Sequence, residues 1–205
     1  MVTVGDSQTG KTSLLCALKD GKLSPDKEVP GVFQTFSHKL KVDGHKVELG
    51  LWDTSGEAKY DGLRRLAYPT CHAFIVCYSV NSRESFENVS KVWLPELQRY
   101  GPPSAPIVIV GTKQDSRPRA SLIPNGSSDG LTQQKFVNYE EGMCLADESR
   151  ANAFVECSAL SENGVNGVFA EAVKAVLKNI KDEKHNSRRR SSGGIRGLLP
   201  GHSAK

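Results

Sequence analysis

The stretch GDSQTGKT, residues 5–12, decides how the rest of the chain is read. It fits the frame G-x-x-x-x-G-K-[ST]. Glycines in that frame let backbone N–H groups turn inward around phosphates, while the lysine reaches the outer phosphates and the hydroxyl reaches a metal ion. The frame carries this meaning only between a strand and a helix. VTV at 2–4 reads as the end of a strand, and residues 11–19 read as a helix.

Outward from the loop, the pattern alternates β and α. FSHKLKV and HKVELGLW alternate polar and apolar residues around Asp43-Gly44, which predicts two antiparallel strands over 36–52. Residues 73–79 and 106–111 are continuous apolar runs, as buried parallel strands show. Phe86, Val89, Trp93 and Leu97 between them have helical spacing. AFVEC at 153–157 is a last strand, and Val165, Val168, Phe169, Ala172, Val173, Val176, Leu177 and Ile180 form a last helical stripe. Residues 20–35 read as an exposed loop. After Lys181 the stripe stops, and 181–205 is expected to be a flexible basic tail. The prediction is an α/β domain over 1–180 with a largely parallel sheet, covered on both faces and binding ligands at the carboxyl ends of its strands.

Composition narrows the classes. The chain has 205 residues, enough for one such domain. No apolar run is long enough to span a bilayer, and no signal peptide is seen, so secretion is not expected. Five scattered cysteines without CxxC spacing read as reduced thiols of a cytoplasmic protein. The net charge is +4, but residues 181–205 hold seven Lys/Arg against two Asp/Glu, so the body is close to neutral. That argues against nucleic acid as a partner.

Three further motifs end strands. WDTSG (52–56) offers an aspartate where phosphate-loop proteins hold magnesium through water. In GTKQD (111–115) a lysine stem can lie on a purine face, and an aspartate can accept two hydrogen bonds from the N1–H and amino group of guanine. ECSAL (156–160) is weaker alone. Together the four resemble the Ras-like small GTPases over roughly residues 1–180. VELGLWDTSG, YDGLRRLAYP and CYSVNSRESFENV resemble the Rho family in particular.

The resemblance implies the phosphate-loop small-GTPase fold: a six-stranded, mostly parallel sheet with one antiparallel strand and helices on both faces. It implies GTP/GDP and Mg²⁺ as ligands. Gly5, Asp6, Ser7, Gln8, Thr9, Gly10, Lys11, Thr12 and Ser13 would surround the phosphates, with Lys11 on the β- and γ-phosphates. Thr12 would bind Mg²⁺ directly, Asp53 through water, and the Gly56 N–H would meet the γ-phosphate. Thr112, Lys113, Asp115, Ser158 and Ala159 would form the guanine site. Residues 28–36 and 56–68 would be the two switches, open to effectors and exchange factors. The family further implies control of the actin cytoskeleton by a monomer. The 41 residues between Asp115 and Cys157 leave room for the extra helical insert of Rho proteins.

The chain departs from that pattern. Ser7 stands where most members have glycine, Ser55 where they have alanine, and Glu57 where they have the glutamine that orients the attacking water. Serines at 7 and 55 resemble the Rnd branch, whose members hold GTP without hydrolysing it. Impaired hydrolysis is therefore expected, with an ordinary cycling GTPase or a pseudo-GTPase scaffold as alternatives. A carboxylate at Glu57 can still accept a proton from water. Gly31 replaces the threonine whose hydroxyl ligates Mg²⁺, so the first switch is expected to close poorly around GTP. The first strand is short, and HSAK at the end carries no prenylation signal. Arg188, Arg189 and Arg190 would give weak plasma-membrane contact, at about 1 kcal/mol per basic residue.

Overall fold

A computed structural model describes residues 1–21, 33–118 and 136–192. Among them six strands form one sheet: β1 Val2–Val4, β2 Phe33–Val42, β3 His45–Thr54, β4 Phe74–Ser79, β5 Ile107–Thr112 and β6 Ala153–Glu156. Their spatial order is β2-β3-β1-β4-β5-β6, parallel throughout except for β2 against β3. Around it lie α1 Lys11–Asp20, α2 Asp61–Arg65, α3 Arg83–Asn88, α4 Leu94–Tyr100, α5 Tyr139–Glu148 and α6 Val165–Ser192. A five-residue π segment, Val89–Trp93, joins α3 to α4.

Period-two alternation sorts the buried strands onto two cores. Ile75, Cys77, Val108 and Val110 face α1 and the Val165, Val168, Phe169 and Ala172 stripe of α6. Phe74, Val76, Tyr78 and Ile109 face Tyr68, Val89, Trp93, Leu97 and Leu145. Continuous apolar runs are what a strand covered on both faces requires. Each large side chain so buried contributes roughly 1.5–3 kcal/mol. The β2–β3 hairpin turns through Asp43 (φ 46°) and Gly44 (φ 82°), the paired positive values of a type I′ turn.

Two expectations are corrected. The antiparallel pair is longer than 36–52, because Phe33 already pairs with Thr54; Pro30 and Gly31 had drawn the loop too far. Helix α6 continues past Lys181 to Ser192, where a flexible tail was expected. The apolar stripe ends near Ile180, but adding helix formers to an existing helix needs no new nucleus. The expected helical insert and Gly31 fall on residues 119–135 and 22–32, outside the described residues. None of the five cysteines is in a disulfide. No helix among the described residues is long and apolar enough to cross a membrane.

Candidate nucleotide site

The phosphate loop is held open by conformations few residues tolerate. Gly5 has φ 143°, and a Cβ there would overlap the Cys77 carbonyl of β4. Gly10, at φ 89°, opens α1. Lys11 folds back over the loop, its Nζ donating to the Gly5 and Asp6 carbonyls at 2.8 and 2.7 Å. Burial pushes its ammonium pKa down, against the raising effect of nearby acidic groups, Asp53 and Asp6 among them. A cation in that position gains from an incoming anion. The Asp6 carboxylate points away from the loop and accepts from Asn88 Nδ2 and Trp93 Nε1, both at 2.7 Å. Ser7 and Gln8 are exposed.

The end of β3 completes the phosphate end. Thr12 Oγ1 donates to Asp53 Oδ2 at 2.6 Å. Asp53 is buried, and burial raises its carboxyl pKa against the Thr12 hydrogen bond and the charge of Lys11. Its other oxygen, Oδ1, is buried with no partner among the described residues. A hydroxyl and a carboxylate with one orphaned oxygen suit a hard divalent cation that keeps most of its waters. Thr12 and Asp53 would hold such an ion, and it would neutralise charge on the outer phosphates. Gly56 then packs directly on the loop, since a Cβ there would overlap the backbone of Gly5, Asp6 and Ser7.

The base end is a cavity of about 210 Å³ bordered by Gly10, Ser13, Leu14, Thr112, Lys113, Asp115, Cys157, Ala159 and Leu160. Lys113, at φ 59°, crosses to the phosphate loop and donates to the Gln8 carbonyl at 2.6 Å. The Thr112 hydroxyl faces the carbonyls of Thr9 and Tyr78, tying β5 to the same loop. Ser158 is fully buried and accepts from the Ser161 N–H at 3.0 Å, which fixes the turn carrying Ala159. All the sequence-identified residues among those described thus lie at the carboxyl ends of β1, β3, β5 and β6. A larger cavity, about 430 Å³, opens at the opposite ends of the strands beside Pro103, Arg150 and Asn179, and holds none of them.

Glu57 lies on the segment that follows β3. Its exposed carboxylate pairs with Lys59 at 2.6 Å, and its N–H points to Ser55 Oγ at 3.3 Å. Sequence reasoning also missed an ion cluster beneath this segment. Arg64, 2% exposed, donates to both oxygens of Glu96 at 2.9 and 3.0 Å and to the Ser55 carbonyl at 3.0 Å. Tyr68 donates to Glu96 at 2.6 Å. Burial would raise the Glu96 carboxyl, but the hydrogen bonds from Arg64 and Tyr68 outweigh it and hold it below the usual range. A carboxyl depressed by folding contributes stability that is complete above its unfolded value of about 4.3 and is lost as pH falls through the folded value. Urea midpoints should therefore fall as pH drops below about 4.3, and Glu96→Gln should flatten that fall.

A mostly parallel sheet with a phosphate loop after β1, a metal-competent acid on β3 and a base-sized cavity beyond β5 and β6 defines a P-loop nucleotide-binding protein. The Ras family model matches residues 1–178. The chain is 39% identical over 181 residues to GTP-binding protein rho5 of Schizosaccharomyces pombe, an alignment covering 88% of each. It is 37% identical over 194 residues to GTP-binding protein rho3 of the same yeast, covering 91% of this chain and 90% of the relative. The chain belongs to the Ras family of small GTPases, on its Rho side.

Proposed function

We propose that the chain is a GTP-binding switch that hydrolyses GTP slowly and signals by binding effectors. The carrying observation is the Thr12–Asp53 pair with its orphaned oxygen, beside buried Lys11, on the loop and helix whose Gly10 and Ser13 border the cavity at Asp115. That arrangement supports Mg²⁺ with GTP or GDP as the ligands. Slow hydrolysis is supported by Ser7, whose side chain stands on the phosphate loop, and by Glu57, whose carboxylate cannot donate as the family's glutamine amide does. The segment 56–68 exposes Leu63 and Leu66, which supports protein contact there by effectors or exchange factors. The first switch, 28–36, is assigned by resemblance, as are the role in cell shape and the monomeric state. The cytoplasmic location with weak membrane contact is inferred from composition and from Arg188 to Arg190.

One observation favours a cycling GTPase instead. The Glu57–Lys59 pair is exposed, and such pairs contribute at most about 1 kcal/mol, too little to keep Glu57 from the loop. Single-turnover hydrolysis decides between the two. A Rho-type activating protein should stimulate the rate less than about tenfold, because its arginine must pass Ser7. An unobstructed arginine finger contributes roughly 10³ to 10⁵, and stimulation in that range would establish the cycling reading. GTP, rather than GDP, should accompany the gently purified protein.

A further inference from the structure

The π segment brings together two parts of the molecule that the motifs treat separately. An α-helix places residues five apart on different faces, whereas i→i+5 bonding brings them close to one side. Asn88 and Trp93 are five apart across this segment, and both reach the Asp6 carboxylate at 2.7 Å. The same indole ring receives the Arg64 guanidinium on its face, 4.7 Å from the ring centre. Arg64 belongs to α2, in the second switch, and it also holds the Ser55 carbonyl. Ser55 precedes Gly56, which lies on the backbone of Gly5, Asp6 and Ser7. Asp6, Trp93, Arg64, Ser55 and Gly56 therefore close a ring of contacts. Trp93 is 2% exposed and touches both charged groups.

We propose that Trp93 is a positioning residue that binds the phosphate loop and the second-switch helix into one unit, so that the grip on nucleotide depends on its indole N–H. This rests on the nucleotide-switch reading. The Asp6 carbonyl receives Lys11 and the Thr9 hydroxyl, so a shift of Asp6 displaces the lysine that meets the phosphates. A shift of Arg64 displaces Gly56. Through the indole, each displacement is felt at the other.

The test is dissociation of a fluorescent GDP from the full chain. Trp93→Phe keeps an aromatic ring but loses the N–H, and Asp6→Ala loses the acceptor. Each should speed release roughly tenfold, the scale of one hydrogen bond to a charge. The decisive comparison pairs Asp6→Ala with Arg64→Lys, two residues that do not touch. Their effects should be non-additive with Trp93 present and markedly closer to additive in the Trp93→Phe background, where only the path through Ser55 and Gly56 remains, a pattern that general weakening of the fold does not produce. If Arg64→Lys does not fold, 5-fluorotryptophan in a Trp52→Phe chain gives one fluorine resonance, from position 93. That resonance should differ between GDP and a non-hydrolysable GTP analogue, and the difference should vanish on Asp6→Ala. Tight GDP binding with additive substitutions, or with an unmoved resonance, overturns this proposal alone. A chain that binds no fluorescent GDP overturns the switch reading and the proposal with it.

Discussion

Asp115→Asn is expected to cost a hundred- to a thousandfold in GDP affinity and to shift preference toward xanthine nucleotides. Asp115 borders the cavity where the base would lie, beside Lys113 and Ala159. A carboxylate offers two acceptors to the N1–H and amino group of guanine. Each charge-assisted hydrogen bond contributes roughly 1.5–3 kcal/mol. The amide keeps one acceptor and turns a donor toward guanine's own donor, so one bond weakens and the other becomes repulsive. Xanthine carries a carbonyl where guanine carries the amino group, and there the amide donor gains a partner. Competition binding with GDP and xanthosine diphosphate measures both halves. Equal GDP affinity in the two proteins would remove the loop at 111–115 from the base site.

Arg64→Ala should lower stability by about 3 kcal/mol, because it leaves buried Glu96 ionised with only the Tyr68 hydroxyl and a longer contact to half-buried Arg65 at 3.3 Å. The loss is chiefly the cost of the stranded charge. The Arg64→Met, Glu96→Leu double variant removes both charges, and it should recover most of the loss. Urea unfolding of the three proteins separates these terms. An Arg64→Ala protein with an unchanged midpoint would mean that the cluster contributes nothing net.

The motifs were legible in the sequence because each is local. GDSQTGKT, WDTSG and GTKQD each carry their chemistry within eight residues or fewer, and each sits at the end of a strand that the pattern of apolar residues locates. What stayed hidden depends on pairs far apart in the chain. Asp6 reads as one more loop residue until Asn88 and Trp93, 82 and 87 positions later, are seen on its carboxylate. Trp93 was legible as core by its spacing, but nothing in that spacing announces a π turn. Arg64 looks like a surface residue of a charged segment, and the buried carboxylate that helps make its burial tolerable, Glu96, lies 32 positions on. Glu57 could be placed by motif, yet its pairing with Lys59 is a rotamer choice between two exposed residues, which no pattern encodes. The extension of α6 to Ser192 escaped for the opposite reason: the reading tied the helix to its apolar stripe, and helix propagation does not need one.

One of the sheet's two central strands has a bearing on how the chain comes to be folded at all. β1 is three residues long, and its neighbours are β3 and β4, registered at Trp52 and Phe74. During synthesis β1 leaves the ribosome well before either partner exists, while the β2–β3 hairpin can zip locally as soon as its turn emerges. At roughly 5–20 residues per second, VTV waits some seconds for the far side of its slot. Pairings of such long sequence separation are late and slow. The phosphate loop hangs from that strand, so the nucleotide site should be among the last features to assemble, and a nucleotide bound to the finished chain would act as a latch on its final folding step.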